Sequence, residues 1–175
     1  MRRWPLWLPL ALFVALVGVV AAGLIRPDDR SVPSRLVGQL LPAFALPPSV
    51  PGHPGLASAD LRGGAPKLLN IFASWCVPCA AEAPQLLALR REGVAIAAIA
   101  IRDRPEDTAR FLARFGDPYA RIGRDDDSAV QMALGSSGVP ESFVIDGRGM
   151  IRLQHIGPIM PEHLPAIRAA LAAAR

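Results

Sequence analysis

The sequence predicts an α/β domain, a central mixed sheet with helices on both faces, behind an N-terminal extension and a single transmembrane helix. Three observations carry this expectation. A 22-residue uncharged run, Trp4 to Ile25, opens the chain. After Pro66 the pattern runs strand, helix, strand, helix, hairpin, helix, an order that builds a mixed sheet. A Cys-x-x-Cys pair sits where the first of those strands gives way to the first helix. The length of 175 residues suits one domain. With 51% hydrophobic and 19% charged residues, the composition argues against a disordered chain. The formal charge of +4 does not make a nucleic-acid surface, because 18 of the 19 basic residues are scattered arginines. Without Arg2 and Arg3 the net charge is +2, so no nucleic-acid partner is expected.

The elements follow in order. As a helix, Trp4 to Ile25 would span about 33 Å, enough for a hydrocarbon core of roughly 30 Å. Arg2 and Arg3 ahead of it keep the N-terminus cytoplasmic, Trp4 and Trp7 suit the headgroup belt, and Asp28 and Asp29 follow on the far side. This places residues 1–25 as an uncleaved inner-membrane signal-anchor and exports the rest to the periplasmic side. A cleaved signal peptide, with Ala21-Ala22-Gly23 as its small-residue site, is the competing reading; the run exceeds the roughly 7–15 residues of a cleavable core. Eight prolines lie between Arg26 and Pro66. They make residues 26–37 a linker and leave only edge pieces before Pro66, such as a strand over Leu40–Leu46. The folded domain is expected over 38–175. Lys67–Phe72 and Val94–Ile101 read as buried strands, with a helix over Ala80–Arg91 between them. Pro105–Phe115 is an amphipathic helix with Glu106 and Asp107 in its first turn and Gly116 after its end. Ser128–Leu134 reads as a short helix. Ser142–Ile145 and Met150–His155 form a hairpin about Gly147-Arg148-Gly149, and Pro161–Ala174 closes the chain as an Ala-rich helix.

The chemistry sits at Trp75-Cys76-Val77-Pro78-Cys79. A sulfur at a helix N-terminus lies near unpaired N–H groups and the positive end of the helix dipole. Such motifs lower a thiol pKa to roughly 3.5–7.5. Cys76 is therefore the expected nucleophile and Cys79, one turn in, the thiol that resolves the mixed disulfide. Pro78 stiffens the loop. Two other readings compete. A structural disulfide closing so short a loop removes little chain entropy. A zinc site needs about four ligands, and His53, His155 and His163 are widely dispersed. No metal and no cofactor beyond the redox-active Cys76–Cys79 pair is expected.

Phe72-Ala73-Ser74-Trp75-Cys76-Val77-Pro78-Cys79 resembles the active-site stretch of the thioredoxin superfamily, and Gly138-Val139-Pro140 resembles its cis-proline loop. The anchor, Glu82 and Pro84 narrow the likeness to exported, membrane-anchored thiol:disulfide interchange proteins of c-type cytochrome biogenesis (the CcmG/DsbE type, related to TlpA- and ResA-like reductases). Gly138 to Asp146, Leu41-Pro42-Ala43-Phe44 and Phe115-Gly116-Asp117-Pro118-Tyr119 are similar to the same branch. The resemblance covers most of residues 38–160. It implies a thioredoxin-like fold and reduction of the cysteine pair of exported apocytochrome c, or of another exported thiol protein. It further implies re-reduction by a membrane electron donor of the DsbD/CcdA type.

The supporting residues have expected roles. A cis Val139–Pro140 bond would place a backbone edge beside Cys76, where a substrate chain can pair as an added strand; an ordinary trans turn is the plainer reading. Glu82, one helical turn past Cys79, could take and return the Cys79 proton, unless it is merely solvated. Asn70 stands where ordinary thioredoxins carry an acidic residue, so that proton role passes to Glu82, Glu141 or water. Glu141 could add negative potential near the disulfide or contact substrate; a solvated glutamate is the alternative. Trp75 either shapes the substrate surface or packs in the core, and with Val77, Pro78 and Val139 it makes up the expected substrate contact. Pro84 predicts a helix kink. Asp125-Asp126-Asp127 reads as a solvated loop and His155 as structural. Two alternative functions remain: an anchored reductase for copper-site assembly or general thiol repair, which shares every motif quoted, and a non-catalytic copper chaperone using the cysteines and a histidine, a class that resembles this fold but tends to carry three residues between its cysteines where this chain has two.

Overall fold

Alternation along the strands decides which side chains reach the site. The computed structural model describes residues 7–25 and 36–175. The chain divides into two compact units, Met1–Val32 and Pro33–Arg175. In the first, α1 runs over Leu8–Ile25, 18 residues or about 27 Å at ~1.5 Å per residue. Among the described residues no helix is long and apolar enough to cross a membrane. The expected transmembrane helix is thus found only as a shorter apolar helix. Arg2, Arg3, Trp4, Asp28, Asp29 and most of the 26–37 linker lie outside the described residues.

The second unit carries a five-stranded sheet in the order β5-β4-β3-β6-β7. Its strands are β3 (Lys67–Phe72), β4 (Ala95–Ile101), β5 (Arg121–Asp125), β6 (Glu141–Ile145) and β7 (Ile151–Ile156), with β3, β4 and β5 parallel and β6 and β7 antiparallel. A separate two-stranded sheet pairs β1 (Ala45–Leu46) with β2 (Leu56–Ala57). The helices are α2 (Val77–Arg91), α3 (Pro105–Phe115), α4 (Ala129–Ala133) and α5 (Leu164–Ala173).

Register sorts the faces. Ile122, Ala98, Asn70, Ser142 and His155 are paired across all five strands, so they share one face. Phe72, on that face, meets Phe111 of α3 with ring centroids 5.6 Å apart, and Asn70 bonds to Glu82 of α2. α5 is tied to the end of α2 by Arg168 and Glu92 at 2.6 Å. The row Gly123, Ile99, Ile71 and Glu141 belongs to the other face, covered by the β1–β2 hairpin and α4. Helices therefore flank both faces, with the long ones on one.

Two expectations need correcting. Leu40–Leu46 is not one strand: Leu40 makes an isolated bridge to Met150, and only Ala45–Leu46 is extended and paired. β5 carries no strand signal in the sequence, because three of the five residues of Arg-Ile-Gly-Arg-Asp are charged and one is glycine. That glycine has a packing reason. A Cβ on Gly123 would lie 2.8 Å from Leu46 Cβ and 3.0 Å from Leu56 Cβ, so the hairpin can seat only on a bare backbone. Gly123→Ala should therefore cost about 1–3 kcal/mol through overpacking. A thermal melt lowered by several degrees would agree; an unchanged midpoint would show that the hairpin is not seated this closely.

Candidate active site

Cys76 terminates the turn after β3 and caps α2. Its backbone is extended, and its Sγ accepts the Cys79 N–H at 3.2 Å. Pro78 sits in the first helical turn, where a missing N–H costs nothing. The helix therefore begins at Val77, three residues earlier than the sequence pattern suggested. It continues through Pro84 to Arg91. Cys76 and Cys79 form a disulfide with Cα atoms 5.3 Å apart. Both cysteines are buried, Cys76 at 5% exposure and Cys79 at 2%, while Val77 is 81% exposed and Trp75 58%. Trp75 is thus not a core residue: its ring stands at the surface, with Nε1 donating to Arg102 O at 3.3 Å. The turn is held by Asp103, whose carboxylate accepts the Ser74 N–H at 2.6 Å and the Ser74 hydroxyl at 2.7 Å. Sequence reasoning missed Asp103, since nothing local links it to Ser74.

The Val139–Pro140 bond is cis. Glu141 pairs with Ile71 across β6 and β3, so Pro140 falls level with the end of β3 that runs into the cysteines. Trp75 and Val139 line a common groove of about 500 Å³ together with Ile101, Arg102, Met132 and Gly138. A second groove of about 460 Å³ lies between Trp75 and Arg110, Phe111 and Arg114 of α3. Glu141 itself is fully buried and turned away from any substrate. Its carboxylate accepts from Ser136 Oγ at 2.7 Å, from the Ser137 N–H at 3.0 Å and from Gln154 Nε2. The solvated and substrate-facing readings of Glu141 both give way to a clamp on the loop before Pro140.

Glu82 is also fully buried. It falls on the inward stripe of α2, with Cys79, Ala83, Leu86 and Leu89. Asn70 Nδ2 donates to its Oε1 at 2.9 Å and the Ile159 N–H to its Oε2 at 2.9 Å. The same Asn70 nitrogen donates to Ser142 Oγ at 3.0 Å, and Asn70 Oδ1 accepts from the Tyr119 hydroxyl at 2.7 Å. Burial pushes the Glu82 carboxyl up from the usual 4.5 to about 7, against the Ile159 and Asn70 hydrogen bonds that pull it down. Burial also drives the Tyr119 phenol well above 10, helped by the charges of Glu82 and Asp117. A carboxyl poised near neutrality one turn from Cys79 can hold or release a proton at working pH.

The remaining candidates sit apart from this chemistry. His155 is half-buried, its Nε2 is 3.2 Å from Pro158 O, and its ring lies 4.6 Å from that of His163; burial lowers its pKa. Asp125 is not in a solvated loop. It ends β5, is buried, and accepts the Gln131 N–H at 2.9 Å, whereas Asp126 and Asp127 are exposed.

The raised Glu82 pKa has a stability consequence. The folded state keeps the Glu82 proton up to about pH 7, whereas the unfolded chain releases it near 4.5. Stability therefore falls as pH rises through that window and levels off above it, a loss of about 3 kcal/mol at ~1.4 kcal/mol per unit. Glu82→Gln in the oxidised protein should remove this step from denaturant unfolding measured between pH 5 and 8. A variant whose stability declines as steeply as the parent's would contradict the assignment.

Comparison with known proteins bears on the whole second unit. The Redoxin family profile matches residues 36–171. The thiol:disulfide interchange protein DsbE of Pseudomonas fluorescens is 41% identical over 159 residues, covering 91% of this chain and 88% of its own. The thiol:disulfide interchange protein HelX of Rhodobacter capsulatus is 38% identical over 154 residues, covering 88% and 87%. A crystal structure from Chlorobium tepidum, described as a thiol:disulfide interchange protein DsbE, superposes with a TM-score of 0.66 at 29% identity, over 78% of this chain and 96% of that one. A thioredoxin-like sheet, a disulfide capping its first long helix and these relatives agree: the chain belongs to the redoxin family and, within it, to the thiol:disulfide interchange proteins of the DsbE type.

Proposed function

We propose that this protein is a reductase held at a membrane by its N-terminal run, and that it reduces the Cys-x-x-Cys-His disulfide of an exported apocytochrome c. The observation that carries the chemistry is the Cys76–Cys79 disulfide capping α2, level with the cis Val139–Pro140 bond. In the reduced protein the Cys76 thiolate attacks one substrate sulfur, and the other substrate sulfur leaves as a thiolate and takes up a proton. Cys79 gives its proton to Glu82 and attacks Cys76 Sγ, which releases the second substrate thiolate and re-forms the Cys76–Cys79 bond. Two electrons pass to the substrate, and a membrane dithiol donor of the DsbD/CcdA type returns two. Trp75, Val77 and Pro78, all exposed, and Val139 beside them form the contact surface for the substrate chain.

Support for the cytochrome substrate comes from the resemblance of Gly138–Asp146, Leu41–Phe44 and Phe115–Tyr119 to that branch. Support for membrane attachment comes from the uncharged Trp4–Ile25 run between Arg3 and Arg26, and from the apolar side chains of α1, where Leu12 and Phe13 are exposed. The full chain, prereduced in detergent, is mixed with an oxidised Cys-x-x-Cys-His peptide and with an unrelated disulfide peptide. The first should be reduced markedly faster. Cys76→Ser should abolish the reaction, and Cys79→Ser should stop it at a mixed disulfide. Equal rates for the two peptides would replace the cytochrome substrate by a general one, and no reaction with either would overturn the reductase.

A further inference from the structure

We propose that Tyr119 is a positioning residue for the proton chemistry of the site: its hydroxyl fixes which edge of the Asn70 amide faces Glu82. This rests on the reading of Glu82 as the base for Cys79.

The amide of Asn70 is fully buried among three partners, Glu82, Ser142 and Tyr119. Two of these tolerate either edge of it. The Ser142 hydroxyl can accept or donate, and the Glu82 carboxyl accepts when ionised and donates when protonated. Only Tyr119 is selective. Among the described residues, Asn70 Oδ1 is the acceptor its hydroxyl finds, at 2.7 Å. Turning the amide over would leave that hydroxyl proton buried without an acceptor, which is costly. Tyr119 is itself fixed, stacked on Phe72 with ring centroids 5.1 Å apart and 6% exposed. The N–H edge of Asn70 therefore faces Glu82 in both of its protonation states, and that edge favours the carboxylate. Without the Tyr119 hydroxyl, the amide is free to follow the carboxyl: donor edge toward the ion, acceptor edge toward the acid. The acid is then stabilised, and Glu82 becomes a base only at higher pH.

Other titratable groups frame this network. Cys79 lies on α2, Asp117 precedes Tyr119 and pairs with His53 at 2.9 Å, and His155 and His163 bracket the segment that presents the Ile159 N–H.

Tyr119 is the one tyrosine in the chain, so 3-fluorotyrosine labels it alone. In the oxidised full-length protein in detergent, its single ¹⁹F resonance should shift with an inflection near pH 7, and Glu82→Gln should abolish that inflection. Tyr119→Phe keeps the ring on Phe72. It should move the acid-side inflection of the peptide-reduction rate upward by about one pH unit. Asn70→Leu should move it in the same direction, and adding Tyr119→Phe to Asn70→Leu should move it no further. A flat ¹⁹F titration, or an unmoved inflection in folded Tyr119→Phe, overturns the proposal while leaving Glu82 as the base. An inflection in the parent rate profile that survives Glu82→Gln overturns the base role, and the proposal with it. If Tyr119→Phe does not melt cooperatively, the fluorotyrosine protein, which keeps both ring and hydroxyl, decides the matter by itself.

Discussion

A carboxylate that reaches no water must be held by donors that the rest of the fold has already fixed, because an unsatisfied buried charge is prohibitive. Glu82 is in that position, and its donors come from distant parts of the chain. One is the Asn70 amide in the middle of β3 and the other the Ile159 N–H beyond β7. Leu86 and Leu89 press α2 onto the sheet, but dispersion has little direction, and apolar contact alone would let the helix turn or slide. Hydrogen bonds to Glu82 have direction. They set both the rotation of α2 and its height along β3, and so determine where Cys76 and Cys79 emerge.

The loops around the cysteines are fixed by the same means at smaller scale. Asp103, just after β4, receives two donors from Ser74, and so ties the turn before Cys76 to the neighbouring strand end. Glu141, at the start of β6, gathers Ser136, Ser137 and Gln154 and so holds the approach to Pro140. Three buried carboxyl groups thus anchor three segments, and the surface they frame sets Trp75 and Val139 beside Arg102.

What the sequence disclosed and what it hid divide along the same line. Strands β3 and β4 and helices α2 and α3 were legible because their apolar periods are strong, and the cysteines because helix-start chemistry is local. Glu82 was legible as a position, since it falls on the stripe Cys79, Ala83, Leu86, Leu89 once the helix is assigned. Its partners were not. The bonds from Asn70 to Ser142 and from Ile159 to Glu82 join residues 72 and 77 positions apart, and only the tertiary fold brings them together. β5 escaped because its pairing with β4 overrides a polar composition, and its glycine answers to the hairpin above it. Asp125 looked solvated for a related reason: three aspartates in a row read as a loop, yet the first belongs to a strand.

Alternation also separates two glutamates that the sequence left as rivals. Asn70 and Ser142 are cross-strand partners, and so are Ile71 and Glu141 one residue along on each strand. A shift of one residue changes the face. Glu82 therefore meets the sheet on the Asn70 side, beneath α2, whereas Glu141 points to the opposite side, toward Gln154 and the Ser136 loop. A proton leaving Cys79 has Glu82 on its own face of the sheet and the full thickness of β3 and β6 between it and Glu141. Asn70, lacking a proton to give, stands between these roles. It is neutral, so it adds no second charge to a buried site, and its amide can still donate to one. An aspartate there would set two carboxylates side by side without water, and one of them would have to stay protonated. Among the described residues the asparagine leaves Glu82 as the one carboxyl group bonded to the Asn70 side chain, which lets its titration report on the cysteines rather than on a second carboxyl.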